Sequence, residues 1–216
     1  MRREPVCPKC GGRVRAPGLP AETWQCAVHG AVHPLQPVEP PGAETLAAVS
    51  RRARVPVWLP WPLPVGWQFT GVARAGDDRA GGRAVAVACS GPGPLGGTGE
   101  LLLVAEEPGV GLGARYAGLD TPDPGSRLDV RRPPEVKASA AGRPTPLWHV
   151  GGAPVDRAVF AGEALGVWLW AVVWPERSAL LMYDEPGLAD LRDAGVDVRL
   201  VPCGALSRRL LAPWAR

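Results

Sequence analysis

From residue 67 onward this 216-residue chain reads as short apolar runs bounded by turn signals, the pattern of strands, whose side chains share a face at every second position. The clearest case is 167–174. Trp168, Trp170, Val172 and Trp174 point one way, while Val167, Leu169, Ala171 and Val173 point the other. Both sets are apolar, so a central strand covered on both faces is predicted. Strands are also expected at 67–73 and 83–89, joined through the hairpin signal Gly76-Asp-Asp-Arg-Ala-Gly-Gly82, and at 101–105, 146–150 and 157–162. Helix formers at 43–52 predict one short helix. The C-terminal stretch reads as strand at 179–183, helix at 187–194 capped by Asp184 or Glu185 and ended by Gly195, strand at 196–201 and basic helix at 205–211. The fold class is α+β: a small N-terminal ribbon, then a mostly antiparallel sheet with few helices.

Proline punctuates the chain and suggests its divisions. Residues 34–41 carry four prolines and read as an extended linker. Residues 55–67 carry four more, with Trp58, Trp61 and Trp67 between them. Such a run cannot supply a regular ladder of N–H donors, so polyproline-like or edge geometry packed across the chain's own sheet is expected. The predicted organisation is a metal ribbon at 1–36, a linker and short helix at 37–54, and an α+β domain at 55–216.

The ribbon prediction rests on two hooks, Cys7-Pro-Lys-Cys10-Gly11 and Cys26-Ala-Val-His29-Gly30. Two residues between ligands let both side chains of a tight turn reach one ion, and the glycine after each pair permits a positive φ. Three thiolates and one imidazole fill a tetrahedral site, the arrangement of structural Zn²⁺. His33, four residues beyond His29, is the alternative fourth ligand. Short strands are expected around 13–15 and 23–25, with a turn at 16–20. A ribbon this small depends on its ion for stability.

Charge adds one observation. The formal net charge is +3, and residues 1–36 carry all of it, with Arg2, Arg3, Lys9, Arg13 and Arg15 against Glu4 and Glu22. A local excess of this kind suits an anionic partner and equally suits a small solvated module. The start of the chain has no apolar segment of the secretory type, and its longest apolar run, 164–174, is shorter than the roughly 20 residues that cross a bilayer. No membrane insertion and a cytoplasmic location are expected. The two cysteines outside the hooks, Cys89 and Cys203, are expected to be buried free thiols.

The glycine-rich loop 91–99 precedes a strand and has no Lys-Ser/Thr pair, so it reads as a hairpin loop, not a phosphate cradle. The second glycine stretch runs from strand 101–105 through Gly109, Gly111 and Gly113 to Arg115. It has a strand-turn-helix context and makes these four residues a weak anion-site candidate, although the spacing departs from GxGxxG. The tryptophan stripe at 168–174 lacks the interleaved basic residues of a nucleic-acid platform and reads as core. No nucleophile motif is present.

The whole chain resembles an uncharacterised actinobacterial family, through Cys7-Pro-Lys-Cys10, the stretch Val57-Trp-Leu-Pro-Trp-Pro-Leu-Pro-Val-Gly66, the stretch Ala88-Cys-Ser-Gly-Pro-Gly-Pro-Leu-Gly-Gly97, and Gly111-Leu-Gly-Ala-Arg-Tyr116. The resemblance brings no activity with it. The leading expectation is a zinc-ribbon protein whose larger domain binds a protein partner or a small molecule. One alternative is nucleic-acid contact through Arg13 and Arg15. The other is an enzyme acting on an anionic metabolite, which requires Glu106, Arg115, Cys89 and His149 to converge on one pocket.

Overall fold

The computed structural model describes residues 4–19, 21–193 and 195–211; Arg2, Arg3, Pro20 and Ala194 of the sequence-based expectations lie outside the described residues. Three two-residue strands, β1 (Val14–Arg15), β2 (Gln25–Cys26) and β3 (Gly30–Ala31), form the small N-terminal sheet in the order β1-β2-β3. Helix α1 (Ala43–Arg52) follows. A nine-stranded sheet comprises β4 (Trp58–Pro60), β5 (Gln68–Asp77), β6 (Gly81–Pro92), β7 (Thr98–Glu106), β8 (Val136–Ala140), β9 (Arg143–His149), β10 (Ala158–Ala164), β11 (Val167–Trp174) and β12 (Gly187–Asp190). Helix α2 (Leu112–Ala117) interrupts the strands after β7, and α3 (Arg208–Leu211) closes the described chain.

The nine strands run in the order β4-β12-β8-β9-β10-β11-β7-β6-β5, and all neighbours are antiparallel except β12 and β8. Strand β11 lies between β10 and β7, and its side chains divide as the alternation predicts. Leu169, Ala171 and Val173 join one core with Phe69, Val87, Cys89, Leu101, Leu103 and Phe160. Trp170, Val172 and Trp174 join a second core with Leu102, Val104, Leu112, Tyr116 and Leu35. The sheet curls around the first core, so that edge strand β4 also contacts β6 and β7. Helix α1 and a 3-10 helix at Val198–Leu200 pack against each other and help to cover that core.

The proline-tryptophan stretch takes the expected edge position, since β4 has β12 as its one strand neighbour. Three C-terminal elements differ from expectation. Of the expected strand at 179–183, residues 179–182 belong to a 3-10 helix, Glu176–Met182, because the run Ala-Leu-Leu-Met is apolar without a period and does not select a strand. Within 187–194 the chain forms strand β12, not a helix. The i, i+3 spacing of Leu188 and Leu191 suits a helix, but the segment fills the gap between β4 and β8. Asp190, buried there, accepts N–H bonds from Val57 and Arg192 and pairs with the Arg192 guanidinium. Tertiary pairing overrides the local period. Residues 196–201 form the short 3-10 helix in place of a strand, its start capped by Asp197, which accepts the Arg199 N–H. Strand β8 escapes the sequence reading although Val136, Ala138 and Ala140 alternate with Lys137 and Ser139, because alanine is a weak strand marker.

Cys89 is buried as expected, but Cys203 is exposed. Both pair with Phe69 from opposite sides. Two strand spacings, about 10 Å, therefore separate them, beyond the reach of a disulfide.

Candidate metal centre and the adjoining cleft

The two hooks close into one cluster. Cys7, Cys10, Cys26 and His29 place a ligand atom each within 4.8 Å of the others. In the first hook the Gly11 N–H donates to the Cys7 carbonyl and the Gly12 N–H to Cys10 Sγ, with Gly11 at φ 71°. In the second, Gly30 takes φ 66° and leads straight into β3. Both glycines thus occupy the left-handed region that a side chain disfavours. Cys7 Sγ and Cys26 Sγ each lie 3.6 Å from His29 Nδ1, and Cys10 Sγ lies 3.8 Å from Cys26 Sγ. Val32, Val14 and Trp24 pack against the cysteines.

The electrostatics of the cluster call for a cation. Burial pushes the Cys7 thiol up to about 12, against the opposing pull of the Cys10 and Lys9 backbone N–H groups. Cys26, although burial acts upward on it too, is drawn down to about 6 by the N–H groups of Val28 and His29 and by the His29 ring. Three thiols this close cannot all ionise against one another without a positive charge among them. A divalent ion would supply it and would hold all three as thiolates. His33 is not in the cluster. It lines a cleft beside the ribbon, where burial and then Arg83 hold its pKa below the usual imidazole range.

That cleft exists because the ribbon is joined to the sheet. Val6 and Leu35 exchange backbone hydrogen bonds, Leu35 bridges to Ala75 at the end of β5, the Gln36 N–H donates to the Arg74 carbonyl, and the Gly76 N–H donates to the Pro34 carbonyl. The proline-rich stretch therefore begins as an added sheet edge. Trp24 Nε1 donates to Asp77 Oδ2 at 2.9 Å, pinning the ribbon to the β5–β6 hairpin. A cleft of about 590 Å³ remains at the seam. The ribbon lines it with Lys9, Trp24, Val32 and His33, the β5–β6 hairpin with Asp77 and Arg79, and the turn after β7 with Glu107, Pro108, Gly109 and Val110.

The glycine-rich turn itself holds a carboxylate of the chain's own. Glu106, fully buried at the end of β7, accepts the Leu112 N–H at 2.7 Å. Burial raises its pKa to about 8, against the N–H groups of Gly113 and Leu112. Gly109 donates to Asp123, Gly111 lies under the Lys9 stem, and Gly113 packs on Trp170. Arg115 lies in the last turn of α2.

The residues named for catalysis do not converge. Cys89 belongs to the core on one face of the sheet, with burial raising its thiol far above the ordinary range, whereas Glu106 follows Leu102 and Val104 on the other face. His149 is exposed on β9, its ring edge-on to Phe160. Arg13 and Arg15 are exposed on the ribbon. Trp168, Trp170 and Trp174 belong to the second core and offer no stacking platform.

Sequence reading counted Lys9 only as ribbon charge and missed Trp24, Asp77 and Glu107 as lining residues. Their one legible signal was local, since Lys9 and Trp24 flank the hooks.

Fold and cluster together define a curled-sheet protein with a ribbon built onto its edge whose Cys7, Cys10, Cys26 and His29 could hold a metal ion. The chain belongs to the family of unknown function DUF6758, whose model matches residues 1–210. No curated protein and no solved structure matches the chain.

Proposed function

We propose that the ion is zinc, held by Cys7, Cys10, Cys26 and His29 in a purely structural role, and that the protein binds a small molecule in the seam beside it. Residues 1–36 then act as a zinc ribbon, 37–54 as the connection and 55–216 as the α+β domain. The donor set and its spacing support zinc. With Zn–S near 2.3 Å and Zn–N near 2.0–2.1 Å, a tetrahedron has S···S edges of about 3.8 Å and S···N edges of about 3.6 Å. The separations of 3.8, 3.6 and 3.6 Å fit both. Four protein donors leave no position for a reacting water, so the ion's task is to fold the ribbon.

The observation that carries the binding reading is the seam cleft of about 590 Å³, whose walls come from the ribbon and from the sheet. Ligand sites favour such junctions and such volumes. The test is metal analysis and native mass spectrometry on protein from its own cells. One zinc per chain is expected, lost in Cys10→Ser, with a small molecule that dissociates on denaturation and is missing from Ala80→Trp, which fills the cleft. Less than half an equivalent of zinc, or an empty cleft in the wild type, would sink the respective half of the proposal.

A further inference from the structure

The polar groups of the seam cleft fall into two sets, and the division specifies a ligand. Asp77 and Glu107 are already engaged. Asp77 Oδ1 accepts the Arg79 and Ala80 N–H groups and its Oδ2 the Trp24 indole, while Glu107 Oε1 pairs with Arg83 Nη1 at 2.7 Å. These N–H groups, that of Ala80 foremost, hold the Asp77 carboxyl below its usual range, so it stays ionised and committed. The side chains of Lys9, Arg79 and His33, by contrast, make no hydrogen bond or ion pair among the described residues, and neither does that of Glu22, which is exposed. Two cations and one exposed anion are thus left over, with His33 disposed to neutrality by burial.

The apolar lining has its own bias. Trp24 is half-buried, and its bond to Asp77 fixes the indole plane before any ligand arrives, so stacking on it costs little ordering. Val32, Pro108 and Val110 extend the apolar surface. Lys9 is positioned from below, because its stem crosses Gly111, where an added Cβ would lie 2.9 Å from Lys9 Cγ. Its backbone lies within the first hook, between Cys7 and Cys10, which the Gly11 N–H closes on the Cys7 carbonyl.

We infer that the cleft takes a planar ring bearing an anionic group, the ring against Trp24 and the anion held by Lys9 and Arg79, with His33 as a further hydrogen-bonding partner. This rests on the binding role proposed for the cleft and adds the ligand class. A ring without charge leaves the Lys9 and Arg79 side chains without a hydrogen-bonding partner, and a bare anion leaves the indole wall unused.

Calorimetric titration of the zinc-loaded full chain with adenosine 5′-monophosphate, adenosine and inorganic phosphate separates the contributions. The monophosphate is expected to bind at least about tenfold tighter than either fragment, and Arg79→Gln and Lys9→Gln each to weaken it about tenfold, the size of a charge-assisted contact, with adenosine unaffected. Arg79 is exposed in a hairpin turn, so if Lys9→Gln loses its zinc, Arg79→Gln alone decides. No binding of the monophosphate, affinity equal to adenosine, or indifference to Arg79→Gln would overturn the assignment. A neutral molecule that co-purifies with the wild type but not with Ala80→Trp would overturn the ligand class while leaving the cleft's binding role intact. An empty cleft in both would overturn both.

Discussion

Glu106 shows how one residue is set by its surroundings and not by its own chemistry. Its carboxylate caps the short helix α2 through the Leu112 N–H, yet its Oε1 is buried without a hydrogen bond. Burial dominates and raises the folded-state pKa from 4.5 to about 8. The unfolded chain ionises at the ordinary value, so between about 4.5 and 8 the folded protein holds a proton that the unfolded chain has released. Stability must then fall as pH rises through that window and level off above it. Glu106→Gln keeps an acceptor for Leu112 and removes the ionisation. In urea titrations from pH 5 to 9, wild-type stability relative to this variant should decline by on the order of 1 kcal/mol per pH unit within the window. Parallel curves for the two proteins would refute the buried-carboxyl account.

At the scale of elements, legibility followed local signals. The helix at 43–52 could be read from its helix formers, and strands β5 to β7 and β9 to β11 from apolar runs bounded by turn residues. Strand β12 could not, since its conformation is decided by the two strands it joins. Helix α2 lies between these cases. The turn before it was recognisable, but its seating depends on Gly113, which rests directly on the Trp170 ring; an added Cβ there would overlap Cδ1 and Nε1. Gly113 needs no left-handed backbone, so the expected cost of Gly113→Ala is purely steric, about 1–3 kcal/mol. Gly109→Ala makes a useful contrast. Its Cβ meets nothing, and only its φ of 83° is unfavourable. Thermal unfolding of both variants measures the difference, and an unperturbed Gly113→Ala would show that α2 does not bear on the sheet as described.

For the whole molecule, the outer edge of β5 is the organising feature. Leu35 and Gln36 cover one end of it, and residues 202–207 cover the other through Phe69, Thr70 and Gly204. The C-terminal segment is fastened further by Arg209, which pairs with Glu100 and, with Arg157, stacks over Trp174. Sealing an edge in this way prevents pairing with other chains. If a metal folds the ribbon, as proposed, chelation should release the first cover and leave the second. Amide exchange at Gln36 and Gly76 is expected to speed up more than tenfold, with β11 amides unchanged. Uniform protection after chelation would mean that the ribbon docks without its ion.

By itself, the sequence determined the four clustered candidate donors and the two-sided burial of β11, because both are written in local spacing: two residues between the members of each hook, and one residue between side chains that share a face. Tertiary structure alone decided that His33 leaves the cluster for the cleft, that Glu106 and Cys89 occupy opposite faces, and that the seam brings Lys9, Trp24, Asp77 and Glu107 together. The facing of Glu106 and Cys89 follows from the register of β6 and β7, and the other two relations depend on how the ribbon joins β5. The joint consists of backbone hydrogen bonds between distant segments, which use the groups every residue shares and leave little trace in side-chain pattern.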